Sequence, residues 1–140
     1  MSLIAPLLAA LLATLALIHL YWGVRGVGAS AAVPTHPDGT PLFRPGRLAS
    51  FLVAVALLFA ATIILGRAHL LELPVPPGLL RLGTWGVATA FAARAVGDFR
   101  HVGLFKQVCG TPFARWDTVV FTPICLAIAG AASIVALTPS

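Results

Sequence analysis

Charged side chains are scarce in this chain of 140 residues: Lys, Arg, Asp and Glu together make up 9% of it, and only four residues are acidic. A soluble domain carries roughly 25% charged residues. With 59% hydrophobic residues and a mean hydropathy of +1.00, the composition is instead typical of an integral membrane protein. A helical span needs about 20 apolar residues, so four spans with short loops nearly fill the chain and leave no room for a separate soluble domain.

Cysteine is also scarce, and dense basic runs are missing. The two cysteines, Cys109 and Cys125, form no CxxC motif and define neither a disulfide framework nor a metal site, so we expect free thiols. The formal charge is +5, but the basic residues are dispersed between apolar runs. This pattern argues against nucleic-acid binding and favours roles in topology and lipid contact. Membrane lipids are the expected partners, no metal is expected, and no cofactor is indicated.

Four apolar runs organise the chain. They predict an all-α integral membrane four-helix bundle with short loops, forming one domain whose spans cover approximately 3–23, 48–66, 79–97 and 118–137.

The first run resembles a secretory signal peptide in length, and GASAA at 28–32 offers an A-x-A-like site. A signal peptide needs a positive n-region, whereas no Lys or Arg precedes Arg25. The run also ends in aromatic and basic residues of the kind found at membrane interfaces. We therefore expect a retained helix. The prolines of the loop at 24–47, with HPDG at 36–39, predict a turn.

The distribution of basic residues predicts orientation. The loops after the first and third runs would lie on one side and hold six Lys and Arg residues, against two on the opposite side, Arg67 and Arg81. Positive loops stay in the cytoplasm. The chain is therefore expected to be a multi-pass protein of the cell inner membrane, with the N- and C-termini on the outer (periplasmic) side.

Small residues recur at helical spacing, as in Ala9/Ala13, Gly86/Ala90 and Ala129/Ser133. Such rows let helix backbones approach closely in lipid. Packing of a monomeric bundle explains them, and a homo-oligomer interface remains an alternative.

Polar residues converge at the predicted cytoplasmic ends of the first, third and fourth helices. Their charges are costly at membrane depth, so they form the candidate ligand-binding site. The members of this site are His19, Tyr21, Trp22, Arg25, Arg94, Asp98, Arg100 and Asp117.

Two interpretations of this cluster stay open. In the structural one, Arg94 and Asp98 form an i,i+4 ion pair and Asp117 caps the fourth helix. In the functional one, a pocket binds a lipid or a small amphipathic or anionic ligand, because guanidinium groups suit phosphate and carboxylate.

Three segments carry a resemblance to a known family: HLYWGVRG at 19–26, RAVGDFRHVGLFK at 94–106 and FARWDTVVFTPICL at 113–126. Their order and spacing resemble those of a bacterial family of small four-span membrane proteins known only as a domain of unknown function. The resemblance covers almost the whole chain and implies the four-span architecture. It implies no activity.

Three functional hypotheses follow. The first is ligand binding in the polar pocket. The second is an integral-membrane enzyme that uses His19 with Asp98 or Asp117 as acid and base on a lipid-soluble substrate. The third is a structural or accessory subunit without a ligand.

Overall fold

The structure is a computed structural model that describes residues 3–27 and 32–139. Four long helices make up most of it: α1 (Ile4–Arg25), α2 (Arg47–Arg67), α3 (Pro77–Val96) and α4 (Pro112–Leu137). Within these two ranges no strand forms apart from one isolated bridge between Thr35 and Pro41. The prediction of an all-α four-helix bundle is confirmed. Most of GASAA, residues 28–31, lies outside the described residues.

Helices α1, α2 and α4 are each long and apolar enough to cross a membrane. Helix α3, which carries Arg81 and Arg94, does not meet the same criterion among the described helices. Three strongly apolar helices make this a membrane protein. That α3 also crosses the bilayer, with the span limits given above, stays a prediction.

The helices alternate in direction. A Cβ atom at Gly23, near the end of α1, would lie 2.9 Å from the ring of Phe51, near the start of α2. At the opposite end, the buried Arg67 guanidinium of α2 donates to the Thr138 carbonyl, just past the end of α4. Helix α1 packs mainly along α2, and α3 mainly along α4. The start of α1 and the end of α4 therefore lie at the same end of the bundle.

The core consists of small and branched apolar side chains, which suits close helix packing in lipid because lipid supplies no hydrophobic force between helices. Its fully buried members are Leu12, Ala16, Ala54, Ile64, Ile128 and Ala132. Large apolar side chains point outward instead, as at Leu17, Phe59 and Val119. This arrangement leaves an apolar outer surface of the kind that faces acyl chains.

Helix α4 begins earlier than predicted and is not uniform. Residues 112–116 were expected in a loop, but the Thr111 side chain accepts a hydrogen bond from the Ala114 N–H at 3.1 Å and the helix starts at Pro112. Proline suits the first helical position because its missing N–H is not needed there. One turn of π-helix follows at Asp117–Phe121. We attribute it to Pro123, which has no N–H to offer the carbonyl four residues earlier.

Candidate functional site

One end of the bundle collects most of the charge, and we call it the basic end. It comprises the C-terminal ends of α1 and α3, the N-terminal ends of α2 and α4, and the segments that join them. Seven of the nine basic residues lie there: Arg25, Arg44, Arg47, Arg94, Arg100, Lys106 and Arg115. Three of the four acidic residues lie there as well: Asp38, Asp98 and Asp117.

Asp117 is the centre of the polar cluster. Its side chain is 0% exposed, and it lies where the π-helical turn of α4 begins. Its Oδ1 accepts a hydrogen bond from Arg94 Nη2 at 2.8 Å. Its Oδ2 accepts from the Gly103 N–H at 2.8 Å and from Lys106 Nζ at 3.1 Å, with the Thr122 hydroxyl at 3.3 Å. A buried carboxylate is stable only when donors of this kind satisfy it.

The predicted Arg94–Asp98 ion pair is wrong. The i,i+4 spacing places the two side chains on one face only if the helix continues through Asp98. Instead α3 ends at Val96, and Gly97 turns the backbone away with φ +84°. Arg94 pairs across the bundle with Asp117. The prediction that Asp117 caps the fourth helix is also wrong, because Thr111 holds that position and Asp117 lies more than a turn inside the helix.

Asp98 organises the loop after α3. Its Oδ1 accepts hydrogen bonds from three successive backbone N–H groups, those of Arg100, His101 and Val102, at 2.7–3.0 Å. Desolvation raises the pKa of this carboxyl group, but the three N–H donors outweigh it and the pKa falls to about 2. Asp98 is therefore ionised at neutral pH, and it needs no side-chain donor from helix α1.

Lys106 belongs to the cluster although it is not among the residues predicted from the sequence. Its side chain is only 6% exposed, and Nζ also donates to the Gly103 carbonyl at 3.1 Å. Two buried or half-buried cations, Arg94 and Lys106, thus share one carboxylate. The cluster carries an excess positive charge, and Arg94 Nη1 is buried without a hydrogen-bond partner in the described parts of the chain. Lys106 and Asp117 are not at a spacing that brings two side chains together within one helix. The contact between them could therefore be found only in the three-dimensional structure.

The predicted site residues of α1 lie apart from this network. His19 Nδ1 lies 2.8 Å from the Leu15 carbonyl oxygen of its own helix, and its ring meets Trp22 edge-on with centroids 5.0 Å apart. Tyr21 and Arg25 are exposed. Among the described residues, no hydrogen bond or ion pair joins these four side chains to Arg94, Asp98 or Asp117.

The two loops of the basic end touch each other through histidines. The rings of His36 and His101 lie edge to face with centroids 6.0 Å apart, and His101 Nδ1 lies 3.5 Å from Asp98 Oδ2. His36 begins the predicted turn, which the Gly39 N–H closes on the His36 carbonyl at 2.9 Å. The cysteines are free thiols, Cys109 exposed in the loop and Cys125 buried in α4, as predicted.

All three carboxylates of the basic end accept hydrogen bonds from neighbouring groups of the protein. Asp38 accepts from the Thr40 hydroxyl at 2.7 Å and the Thr40 N–H at 2.9 Å, and these bonds lower its pKa. Asp98 and Asp117 are occupied as described above. In the described residues, no carboxylate therefore pairs with the five exposed arginines Arg25, Arg44, Arg47, Arg100 and Arg115. The basic end presents unbalanced positive charge.

Comparison with known proteins gives a family and no activity. Neither a curated protein nor a solved structure shows a significant match to the chain. Residues 12–132 match a family described as "Protein of unknown function (DUF3995)". That range covers most of the chain and contains Arg94, Asp98, Lys106 and Asp117. The chain therefore belongs to the DUF3995 family, a domain of unknown function, as the resemblance indicated.

Proposed function

We propose that this membrane protein binds anionic phospholipid headgroups at its basic end. The observation that carries the proposal is the charge balance: every carboxylate there is satisfied internally, whereas five exposed arginines have no carboxylate partner among the described residues. Guanidinium groups suit phosphate because they present a planar fork of donors. Headgroups of an anionic leaflet supply that phosphate at the depth where the helices end.

The proposed binding residues are the arginines among those that the sequence indicated, with Lys106 added. Arg94 and Lys106 supply a buried positive charge behind the surface, and Arg25 and Arg100 supply exposed guanidinium groups. Asp117 positions Arg94 and Lys106 and does not itself bind the ligand. Tyr21, Trp22 and His19 lie near the end of α1, and we assign them to the membrane interface, where aromatic rings are favoured.

The proposed orientation follows from the same charges. The basic end faces the cytoplasm of a bacterial inner membrane, because loops rich in Lys and Arg are retained there. The ends of α1 and α4 that lie away from the basic residues then face the periplasm.

The geometry favours binding over acid–base chemistry. A general base must have a lone pair free for the proton that it takes. Asp117 is surrounded by donors, and the pKa of Asp98, about 2, makes this carboxylate a weak base. A structural or accessory role is the second candidate, since the same hydrogen-bond network fastens the loop after α3 onto α4.

Native mass spectrometry from mild detergent tests the proposal. Wild type, Arg94→Gln and Arg100→Gln are titrated with phosphatidylglycerol and phosphatidylcholine. Wild type is expected to retain phosphatidylglycerol preferentially. Because a basic residue near an anionic surface contributes about 1 kcal/mol, each substitution is expected to weaken that adduct about fivefold.

Arg81→Gln is the matched control, because Arg81 is exposed at the opposite end of α3 and its loss leaves the basic end unchanged. Equal retention of the two lipids by wild type contradicts the proposal and favours the accessory role.

A further inference from the structure

The loop after α3 presents a small apolar surface, which we call the aromatic patch: Phe99, Leu104 and Phe105. These side chains are 57%, 55% and 59% exposed. The two phenyl rings stack with centroids 6.0 Å apart and planes inclined by 26°. Isolated exposed apolar residues are common on proteins. Three together on a loop at the charged end of the molecule require a reason.

The backbone conformation at Phe99 is unfavourable for phenylalanine. Its φ is +62°, a left-handed conformation that is unusual for a bulky residue and that Gly, Asn or Asp adopt at lower cost. The turn that contains this residue is fixed by the N–H groups of Arg100, His101 and Val102, which donate hydrogen bonds to Asp98 Oδ1. Because the ring is exposed, core packing does not offset the free-energy cost of this backbone conformation. Residues that break a local rule in this way are concentrated at functional positions.

The loop that carries the patch is held rigidly. The Leu104 N–H donates to the Ala95 carbonyl at 2.8 Å, and the Gly103 N–H donates to the buried Asp117 at 2.8 Å. The patch is therefore held in place against the ends of α3 and α4.

The surroundings of the patch indicate what covers it. It begins three residues after Val96, the last residue of α3, which is itself partly exposed. Arg100 is next to Phe99 and has no carboxylate partner in the described residues. An apolar surface just past the end of a helix, with an arginine next to it in the chain, matches the boundary between headgroups and acyl chains. Aromatic rings are enriched at that boundary.

We propose that the aromatic patch inserts into this boundary of the lipid leaflet, so that the loop after α3 lies at the headgroup level with Arg100 beside a lipid phosphate. The occupant of the patch is the bilayer itself. The insertion uses apolar contact, so it takes place in zwitterionic as well as anionic membranes. It goes beyond the proposed headgroup preference and does not depend on it.

Fluorescence quenching in vesicles tests the insertion. Gln107, exposed and just outside the patch, is replaced by Cys in a chain that also carries Cys109→Ser and Cys125→Ser, and a fluorophore is attached there. Phosphatidylcholine vesicles contain a lipid with a nitroxide on its headgroup. We expect strong quenching with the native patch and a loss of quenching in Phe99→Asn/Phe105→Ser. Phe43→Ser, which removes an exposed Phe from the other loop of the basic end, is expected to leave the quenching unchanged.

Thermal unfolding in detergent separates insertion from a structural role. Phe99→Asn alone is expected to unfold at the same temperature as the parent or higher, because Asn tolerates a positive φ. Unchanged quenching in the double variant contradicts insertion. A fall in unfolding temperature that accompanies the loss of quenching assigns the patch to internal packing, and a fall in oligomer mass assigns it to contact with a second copy. Either result overturns the proposal, whereas the headgroup preference is judged separately by the lipid adducts.

Discussion

At the residue scale, the buried charge of Asp117 has the largest consequences. Arg94 and Lys106 both donate to it, at 2.8 and 3.1 Å, and Lys106 lies almost wholly inside the protein. Taking Lys106 and part of Arg94 out of water is costly, and the carboxylate between them offsets that cost only while it is charged. The cluster therefore fixes where the loop after α3 meets α4.

Replacement of Asp117 by Asn is expected to destabilise the protein strongly. The amide keeps the shape but leaves Arg94 and Lys106 with no buried counter-charge, and removing one partner of a buried pair costs about 3–5 kcal/mol. Chemical denaturation in mild detergent, followed by circular dichroism, measures the loss. Asp38→Asn, in an exposed turn, is the control and is expected to change stability by less than about 1 kcal/mol.

A second variant tests whether the charge is the cause. Arg94→Gln combined with Asp117→Asn removes one uncompensated cation, so the double variant is expected to be more stable than the sum of the single losses indicates. Strict additivity would show that Asp117 acts through its shape or through the Gly103 hydrogen bond instead.

The choice of partner for Arg94 shows where prediction from residues fails. Residue spacing correctly indicated that charges gather at one end, because the apolar runs are long and the charges few. It paired Arg94 with Asp98 because the two lie four residues apart, and that rule holds only inside a helix. Gly97 ends α3 between them. A glycine at this position is a known helix-stop signal, so the break was available from the sequence, but the reach of Arg94 to Asp117 was not.

At the element scale, the loop after α3 is a compact unit built around two glycines. Gly97 and Gly103 have φ values of +84° and +90°, and their backbones lie against each other. A Cβ atom on Gly97 would overlap the Val102 carbonyl group, and one on Gly103 would meet the Cα atom of Gly97 at 2.6 Å. This close approach brings the Gly103 N–H within hydrogen-bond distance of Asp117.

Gly97→Ala is therefore expected to destabilise this unit. A backbone conformation of this kind costs a residue other than glycine about 1–3 kcal/mol, and the overlap with Val102 adds to it. The free energy of unfolding in detergent measures the change. Gly110→Ala is the matched control in the same loop, because a Cβ atom there meets nothing within 4 Å. Equal stability of the two variants would contradict the close approach of Gly97 and Val102.

The helices themselves were largely predictable, because an apolar run of about 20 residues has few alternatives to a membrane-spanning helix. The start of α4 was not assigned correctly, although Thr111 followed by Pro112 is a recognised helix-start signal. The π-helical turn at Asp117–Phe121 has no comparable signal. Pro123 removes one hydrogen bond, and the sequence does not show whether the helix then kinks, widens or ends. The rotation that aims Asp117 at Arg94 could be seen only in the structure.

At the scale of the whole molecule, the separation of charge predicts the orientation in the membrane. Seven of nine basic residues lie at the basic end, against Arg67 and Arg81 at the other, and Arg67 is buried against the end of α4. We therefore expect the basic end to face the cytoplasm, because an asymmetry of this size retains the more positive side there.

The native cysteines supply a probe for this orientation. Cys109 is exposed in the loop after α3 at the basic end, and Cys125 is buried in α4. We expect a membrane-impermeant maleimide to label the protein in inverted inner-membrane vesicles and not in intact spheroplasts. Cys109→Ser is expected to abolish the labelling, and Cys125→Ser to leave it unchanged. Labelling in spheroplasts would place the basic end outside. The five exposed arginines would then face the other leaflet, so the cytoplasmic leaflet could not be the source of the anionic headgroups.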